Sequence, residues 1–427
     1  MDDHASATGS LTKATNSTIV DEDPLMTTTN NPPEPRHRSA LRVIQPSKAY
    51  LKGLFTRLSI LTTILAVLIA IGLGLRYTDD MPEAEDFSNI EFNWRVDPSS
   101  YLTPYNQSFQ YNTLLDGHCH STYSDGKLNV KQLLDWHIAN GFNAVIVTDH
   151  NTIDGGLYAE RLALQDDYYR ERIVVIPGME YTCCRIHMNL IGINQTIPAG
   201  PPSPSDEELR QVINRTHALG GIVIVNHIPW SNTTESGYQL PRLPNHPSIA
   251  DLISWGVDGF EVINQDTFDY PTLQVSQQHN LIQMVGSDLH HPAVPANAWL
   301  TVNSPAKNKT AILNEIISRR TSFLFDPTGT PQRAYGVSSA AYARLVPLTW
   351  LGDYFGMFYT DTKGMYSFQG TFCHPEQLVI HGDLIGWFIF WVFIFIITFE
   401  SVRSIVILLV PQCLTYYRKF RPSNHFE

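Results

Sequence analysis

Charged side chains are scarce in this sequence. Asp, Glu, Lys and Arg together make up 16% of its 427 residues, against about a quarter in ordinary soluble domains. The deficit implies stretches withdrawn from water, lipid included. Cysteine is also sparse. Five residues with no C-x-x-C spacing exclude a disulfide-built scaffold and a thiolate zinc finger. Basic residues are outnumbered, 29 Lys and Arg against 41 Asp and Glu, for a net charge of -12. That balance excludes a surface made to coat nucleic acid. No internal repeat is visible. Apolar residues are not lacking: at 43% of the chain they exclude wholesale disorder. Nor is histidine, present in sixteen copies whose placement proves informative.

Composition divides the chain. Residues 1–52, rich in Ser, Thr, Asn and Pro, predict a disordered cytosolic tail, because such a segment cannot bury enough apolar surface to offset its ordering entropy. Leu58 to Leu75 then runs eighteen residues without a charge, close to the ~20 needed to cross a hydrocarbon core. Preceded by a long tail and followed by no clear small-x-small site, it reads as a signal anchor over 57–76 rather than a cleaved leader. A lumenal linker is expected over 77–111. A second span over 384–410 opens with Leu384 to Phe399, and a cytosolic basic tail follows over 411–427.

The flanks predict orientation. Arg36, Arg38, Arg42, Lys48, Lys52 and Arg57 precede the first span, while Asp79, Asp80, Glu83, Glu85 and Asp86 follow it. Basic residues stay cytosolic, so both termini should be cytosolic and the middle translocated, with Arg418, Lys419 and Arg421 again on the cytosolic side. Glu400 and Arg403, spaced to meet on one helix face, are placed near that interface. Asn106, Asn194, Asn214, Asn232 and Asn308 each begin an N-x-S/T triplet, and all five fall between the spans. The expectation is a glycoprotein of the secretory pathway or cell surface with a lumenal or extracellular domain, in a eukaryotic host.

Between the spans, short β-branched runs alternate with helical patterns. Strand-like pieces lie at 112–120, 144–150, 173–182, 186–194, 222–227, 259–264 and 282–288, and helical ones at 129–140, 157–166, 206–219, 248–255, 271–279 and 309–320. Asn129 with Gln132, and Ser205 with Glu208, read as capping boxes. The alternation predicts an α/β domain over 112–330 with buried parallel strands, whose chemistry belongs at strand C-terminal ends.

The potential metal ligands gather at those ends. His118 and His120 close the first strand on a shared face, with Cys119 pointing away. Asp125 follows in the next turn, His150 ends the second strand and Glu180 the third. His187 comes seven residues after Glu180, His227 ends I-V-I-V-N-H, and Asp288 with His290 closes V-G-S-D-L-H. Imidazole and carboxylate suit borderline or hard divalent ions such as Zn, Mn or Fe. Nine ligands exceed the needs of one ion and fit two or three per chain. Clustered ions yield metal-bound hydroxide at neutral pH and clamp a displacement. His137, His217, His246, His279, His374 and His381 lack such placement and read as hydrogen-bonded core or surface residues. His291, pointing opposite its ligand neighbour, and Asp149, beside His150, are read as supporting the ligands from behind, while Tyr123 and Asn264 either orient substrate or water or are ordinary turn and packing residues.

In order, D-G-H-C-H-S-T-Y-S-D-G, T-D-H-N-T, P-G-M-E-Y-T with H-M-N-L-I-G-I, G-G-I-V-I-V-N-H, G-F-E-V-I-N and V-G-S-D-L-H resemble the polymerase and histidinol phosphatase (PHP) superfamily of metal-dependent hydrolases. The resemblance is greatest to its CehA/McbA-type branch and runs from about 112 to 325. It implies a distorted (β/α)7 barrel. It also implies one ion on His118, His120, Glu180 and Asp288, a second bridged by Glu180 to His187 and His227, and a third on Asp125, His150 and His290. Asp288, His290 and Glu180 are the catalytic candidates.

The expected activity is hydrolysis of esters, phosphoric esters first, on a phosphorylated small molecule or a lipid-linked substrate. The alternative is a non-catalytic metal-binding membrane scaffold or sensor. Two spans with one peripheral charge pair offer no polar path, which excludes a transporter. Cys183 and Cys184 could pair with Cys373 or stay as buried thiols, and Cys413 is a juxtamembrane palmitoylation candidate. The aromatic-rich 331–382 segment reads as a packed extension of the barrel, with a membrane-surface collar for a lipid-linked substrate as the other reading.

Overall fold

Asn129 and Ser205 open helices as their spacing predicts, each accepting from the backbone three residues on while Gln132 and Glu208 bond back. The computed structural model describes residues 47–76, 82–331 and 336–420. Most of the expected tail, and with it Arg36, Arg38 and Arg42, lies outside the described residues, as do Asp79, Asp80 and Arg421.

By contact density the chain divides between Thr62 and Thr63. The first unit holds, among described residues, only the opening turns of helix α1 (Lys48–Arg76). Residues 48–52, assigned to the tail by composition, are therefore helical; lysine and leucine there are good helix formers. The second unit carries the rest, in chain order β1 (Thr113–Asp116), α2 (Val130–Ala139), β2 (Ala144–Val147), α3 (Asp154–Gln165), β3 (Val174–Thr182), β4 (His187–Ile191), α4 (Asp206–Ala218), β5 (Ile222–Val225), β6 (Gly259–Asn264), α5 (Tyr270–Gln278), β7 (Ile282–Gly286), β8 (Ala298–Val302), α6 (Lys309–Ile317), β9 (Thr321–Phe325), α7 (Ala340–Gly356), β10 (Tyr359–Thr362), β11 (Gln377–Ile380) and α8 (Gly382–Phe420).

One curled sheet dominates, in the order β9-β8-β1-β2-β3-β4-β5-β6, with β7 also on β6. The pairs β1-β2, β2-β3, β5-β6 and β6-β7 are parallel. The curl brings the end of β7 back to β1: Gly117 N donates to Val285 O at 3.0 Å and Asp288 N to His118 O at 2.8 Å. The expectation of parallel strands fails at β4, which is antiparallel to both neighbours. Only four residues, Cys183 to Ile186, separate β3 from β4, enough for a hairpin and too few for a parallel crossover. Two strands, β8 and β9, were not anticipated; they extend the sheet antiparallel beyond β1.

Alternation along the strands builds the core. Leu115, Ile146 and Ile176 join one buried cluster. Their neighbours Leu114, Val145 and Val175 join another, with Leu133 and Leu134 of α2 and Ala159 and Ala163 of α3. Both faces are covered, which is why these strands read as unbroken apolar runs.

Helices α1 and α8 are long and apolar enough to cross a membrane, with mean hydropathies of 2.5 and 2.3 and only 6% of each span buried. Helix α8 continues past the expected end of the second span, to Phe420. On it the Arg403 guanidinium lies 3.4 Å from Glu400. The aromatic segment folds as α7 and the hairpin β10–β11, and Cys373 in the hairpin loop is disulfide-bonded to Cys184 after β3. Of the two readings left open for these cysteines, pairing holds for Cys184, and Cys183 is a free buried thiol.

Candidate metal centre

The nine residues picked out along the sequence converge, and Glu180 stands at their middle. It is the seventh residue of β3 and wholly buried. Its Oε1 lies 3.1 Å from His187 Nδ1, 3.2 Å from His227 Nε2 and 3.6 Å from His118 Nε2. Its Oε2 lies 2.8 Å from His150 Nδ1 and 3.6 Å from His120 Nε2. The antiparallel β4 is what delivers His187: its backbone pairs with Thr182, so its ring returns toward the same strand.

Asp288 supplies the second carboxylate, with Oδ1 3.4 Å from His118 Nε2, 3.2 Å from His120 Nε2 and 3.5 Å from His290 Nδ1. At the rim, Asp125 Oδ1 lies 3.3 Å from His290 Nε2 and 3.6 Å from His150 Nε2. Three overlapping groups follow in which the ligand atoms stand within 4.8 Å of one another: His118, His120 and Glu180; Glu180, His187 and His227; and His120, Asp125, His150 and His290. His118, His227 and Asp288 form a fourth.

The donor set fits divalent cations. His118 Nε2 and His120 Nε2 face each other at 3.0 Å, both aimed at carboxylates, as ligands around a shared ion are aimed. Among the described residues, buried His120 Nδ1, His187 Nε2 and His227 Nδ1 have no hydrogen-bond partner. Such groups are costly unless something else satisfies them.

The backbone is also bent to serve this cluster. His227 has φ 24° and Asp288 φ 46°, a left-handed region that costs non-glycine residues about 1–3 kcal/mol and gathers at functional sites. Each stands two residues beyond the end of a short strand, β5 for His227 and β7 for Asp288. Gly286 is required here for another reason: a Cβ would sit 2.3 Å from Glu261 Oε1 and 2.4 Å from His118 Cβ.

Electrostatics separates the imidazoles. Burial holds His120 down at about 3, helped by the neighbouring His290 and His150, and holds His187 down at about 4. Burial also works against a charged His118, but Asp288, Glu261 and Glu180 outweigh it and raise its pKa well above the ordinary value. Burial alone would raise Glu180; the rings of His150, His187 and His118 instead hold it well below the usual carboxylate range.

Residues set aside on sequence lie where that reading expects. His137 is buried between Leu133 O (2.7 Å) and Asp116 (2.8 Å), and His217 meets Asp258 at 2.8 Å. His291 departs from its expected place behind the ligands: it turns outward to Glu85 at 3.3 Å. Asp149 accepts from Ser121 N and Oγ and Ser124 Oγ, pinning the turn that carries Asp125. Tyr123 packs against Tyr158. Asn264 donates to Glu261 at 3.0 Å.

Two contributors were missed. Glu261, buried on β6, lies 3.1 Å from His118 Nδ1 and accepts from His227 N at 3.0 Å. It stood inside the quoted G-F-E-V-I-N block without a role, and a buried acid in an apolar strand was the available signal. Phe368, in the hairpin loop, stacks on His150 with ring centroids 3.9 Å apart; the aromatic-rich composition of 331–382 marked its segment and nothing singled out this residue.

Comparison with known proteins agrees with this geometry. Residues 116–240 match the PHP domain family. The match takes in His118, His120, Asp125, His150, Glu180, His187 and His227, and stops short of Asp288 and His290. Together with the convergent clusters it supports a metal-dependent hydrolase. No curated protein sequence matches the chain. Among solved structures, a two-domain Bacteroides vulgatus protein described as containing a predicted PHP-like metal-dependent phosphoesterase is 19% identical, with 61% of this chain and 74% of that one covered and a TM-score of 0.41. A Chromobacterium violaceum amidohydrolase is 17% identical over 50% of this chain and 98% of its own, TM-score 0.35. PsfC from Pseudomonas syringae is 16% identical over 58% and 100%, TM-score 0.36.

Proposed function

We propose that the chain is a membrane-anchored, metal-dependent hydrolase of phosphoric esters, related to the CehA/McbA branch and fungal in origin. The observation that carries the activity is the meeting of nine imidazole and carboxylate side chains, with buried Glu180 at their middle. His118, His120, Glu180 and Asp288 would hold one ion, Glu180, His187 and His227 a second, and Asp125, His150 and His290 a third. Bound there, Zn, Mn or Fe ions would supply an acidified water as nucleophile and offset the charge that builds on the phosphoryl oxygens.

The chain's own residues do the rest. Glu180, wholly buried between five rings, keeps the two inner sets at fixed separation. Asp288 and His290, with side chains 16% and 35% exposed, stand where the cluster opens to solvent and can touch a bound ester. Water oxygen bonds to phosphorus, the ester P–O bond breaks, and the departing oxygen takes a proton. His290, oriented by Asp125, is the imidazole exposed enough to hand one over when the outer set holds no ion.

A lumenal or extracellular site with cytosolic termini rests on three supports. The Cys184–Cys373 disulfide suits an oxidising compartment. Asn106, Asn194, Asn214, Asn232 and Asn308 are all exposed. Helices α1 and α8 bracket the domain.

The full chain, purified in nanodiscs and analysed for metal content, should turn over p-nitrophenyl phosphate or bis-p-nitrophenyl phosphate with Mn or Zn, and should lose that turnover in His118→Ala and Asp288→Ala. Metal bound in full with no turnover across an ester panel would overturn the enzyme reading in favour of a metal-binding scaffold or sensor.

A further inference from the structure

We propose that the loop between β10 and β11, residues 363–376, is the substrate-selecting wall of the site and receives the apolar substituent of a phosphoester. The proposal rests on the hydrolase reading for the word phosphoester and on separate geometry for the wall.

The loop belongs to the segment after the barrel, yet it lines the metal centre. A cavity of about 370 Å³ is bounded by the ligand cluster on one side and by Trp230, Met365, Tyr366 and Phe368 on another. Phe368 stacks on His150, Tyr366 packs on Phe368 at 5.6 Å, and Tyr366 meets Phe372 at 5.4 Å. Trp230 closes the row, 4.8 Å from His227 and 5.4 Å from His187.

The loop is held in place from several directions. Cys373 is bonded to Cys184. Gln369 Nε2 donates to Thr182 O at 3.0 Å, and Thr182 Oγ1 lies 2.6 Å from His150 Nδ1. Met365 N donates to Glu235 at 3.1 Å, and Tyr238 stacks on His374 at 4.3 Å. Phe368 itself sits at φ 58°, a conformation an aromatic residue adopts only when its surroundings impose it. A side chain held this firmly over a ligand ring is fixed as part of the site.

The chemistry of the walls names the ligand class. Among the described lining residues none is Lys or Arg, so beyond the ligand histidines no guanidinium or ammonium stands there for the outer oxygens of a phosphomonoester dianion. Opposite the ligands stand four apolar or aromatic side chains, which gain by covering hydrocarbon. An ester with one phosphoryl charge and an apolar second substituent matches both surfaces. The loop also adjoins the second apolar helix: β11 ends at Ile380 and α8 begins at Gly382, and Leu378, Val379 and Ile380 are 63%, 53% and 66% exposed. Chain continuity therefore places the wall next to a bilayer surface, from which such an ester could be presented.

The test gives the full chain in phosphatidylcholine nanodiscs, loaded with Mn, a set of p-nitrophenyl phosphodiesters. Their second ester is methyl, hexyl (dissolved) or hexadecyl (held in the bilayer). The expected result is kcat/KM at least about tenfold higher for hexyl than methyl, and loss of that ratio in Phe368→Ala and Tyr366→Ala. A further gain for hexadecyl assigns the bilayer as source; parity with hexyl assigns a soluble ester. Absence of chain-length dependence, or its survival in both variants, overturns the proposal.

The metal-free wild-type chain gives a second readout that needs no turnover. A hexyl phosphonate with a terminal diazirine should label 365–372 or Trp230, and labelling confined elsewhere overturns the proposal. Labelling at the wall with no ester turned over would sink the hydrolase reading and leave the apolar subsite standing.

Discussion

Glu261 Oε1 lies 3.1 Å from Nδ1 of His118, with both side chains buried. The bond turns the His118 ring so that Nε2 faces His120, Glu180 and Asp288. Through Oε2 the same carboxylate accepts from His227 N and from Asn264, so one side chain from β6 sets two of the proposed ligands. Carboxylates behind a ligating imidazole fix its tautomer and raise its basicity. Glu261→Gln should therefore lower metal affinity about 10- to 100-fold while leaving the far-ultraviolet circular dichroism of the chain intact. Competition with a chromogenic chelator measures the affinity, and an unchanged value would remove Glu261 from the metal centre.

The seven strand positions β1 to β7 were legible as apolar runs, and five of them, β1, β2, β3, β5 and β7, lead into a ligand-type residue at or just beyond their C-terminal ends. Glu261 was visible but mute: alternation along β6 gives its face and cannot say that the curl brings that face to His118. The antiparallel sense of β4 was available in the short Cys183–Ile186 connection. Strands A-W-L-T-V and T-S-F-L-F, now β8 and β9, carried ordinary apolar runs but no ligand at their ends. Phe368 was beyond reach, since it is one of many aromatics in 331–382 and nothing in G-M-Y-S-F-Q-G sets it apart. Its place depends on contacts such as the Cys184–Cys373 bond, across a separation of 189 residues, which no local pattern encodes.

Metal loading should release protons. Burial works to lower the pKa of His290, but the hydrogen bond to Asp125 and the nearby Asp288 charge overcome it and bring the value up to about 9. A metal-free chain at pH 7.5 thus carries His290 protonated, and ligation requires the neutral ring. His120, held at about 3, and His187, at about 4, are already neutral and release nothing. Titration calorimetry in two buffers of different ionisation enthalpy should show a heat difference equivalent to about one proton or more per chain. Heats independent of buffer would mean that neither His290 nor His118, which Asp288, Glu261 and Glu180 also raise well above the ordinary value, is a ligand.

The Cys184–Cys373 bond should matter for stability. Closing so long a loop restrains the unfolded chain, and a native disulfide of this kind contributes about 2–4 kcal/mol. Cys373→Ser should lower the thermal midpoint by several degrees and make residues 363–376 newly sensitive to protease, while the barrel between β1 and β9 stays resistant. Equal midpoints and equal cleavage in variant and wild type would show that the hairpin loop is held without the bond.

Membrane topology can be read from glycans, because the sequence carries its own control. Asn106, Asn194, Asn214, Asn232 and Asn308 are exposed in the folded domain, and Asn308, although it caps α6, does so through Oδ1, accepting from Ala311 N at 2.9 Å. Its Nδ2 is left for a sugar. A sixth triplet, Asn16-Ser17-Thr18, precedes the first apolar helix, outside the described residues. With the basic flank of that helix cytosolic, Asn16 never meets the glycosylation machinery. Endoglycosidase treatment of the full chain expressed in a eukaryotic cell should shift its mobility, Asn→Gln changes at the five domain positions should each remove a glycan in use, and Asn16→Gln should change nothing. A glycan at Asn16 with none in the domain would invert the topology and put the metal centre in the cytosol, where the Cys184–Cys373 bond would face a reducing medium.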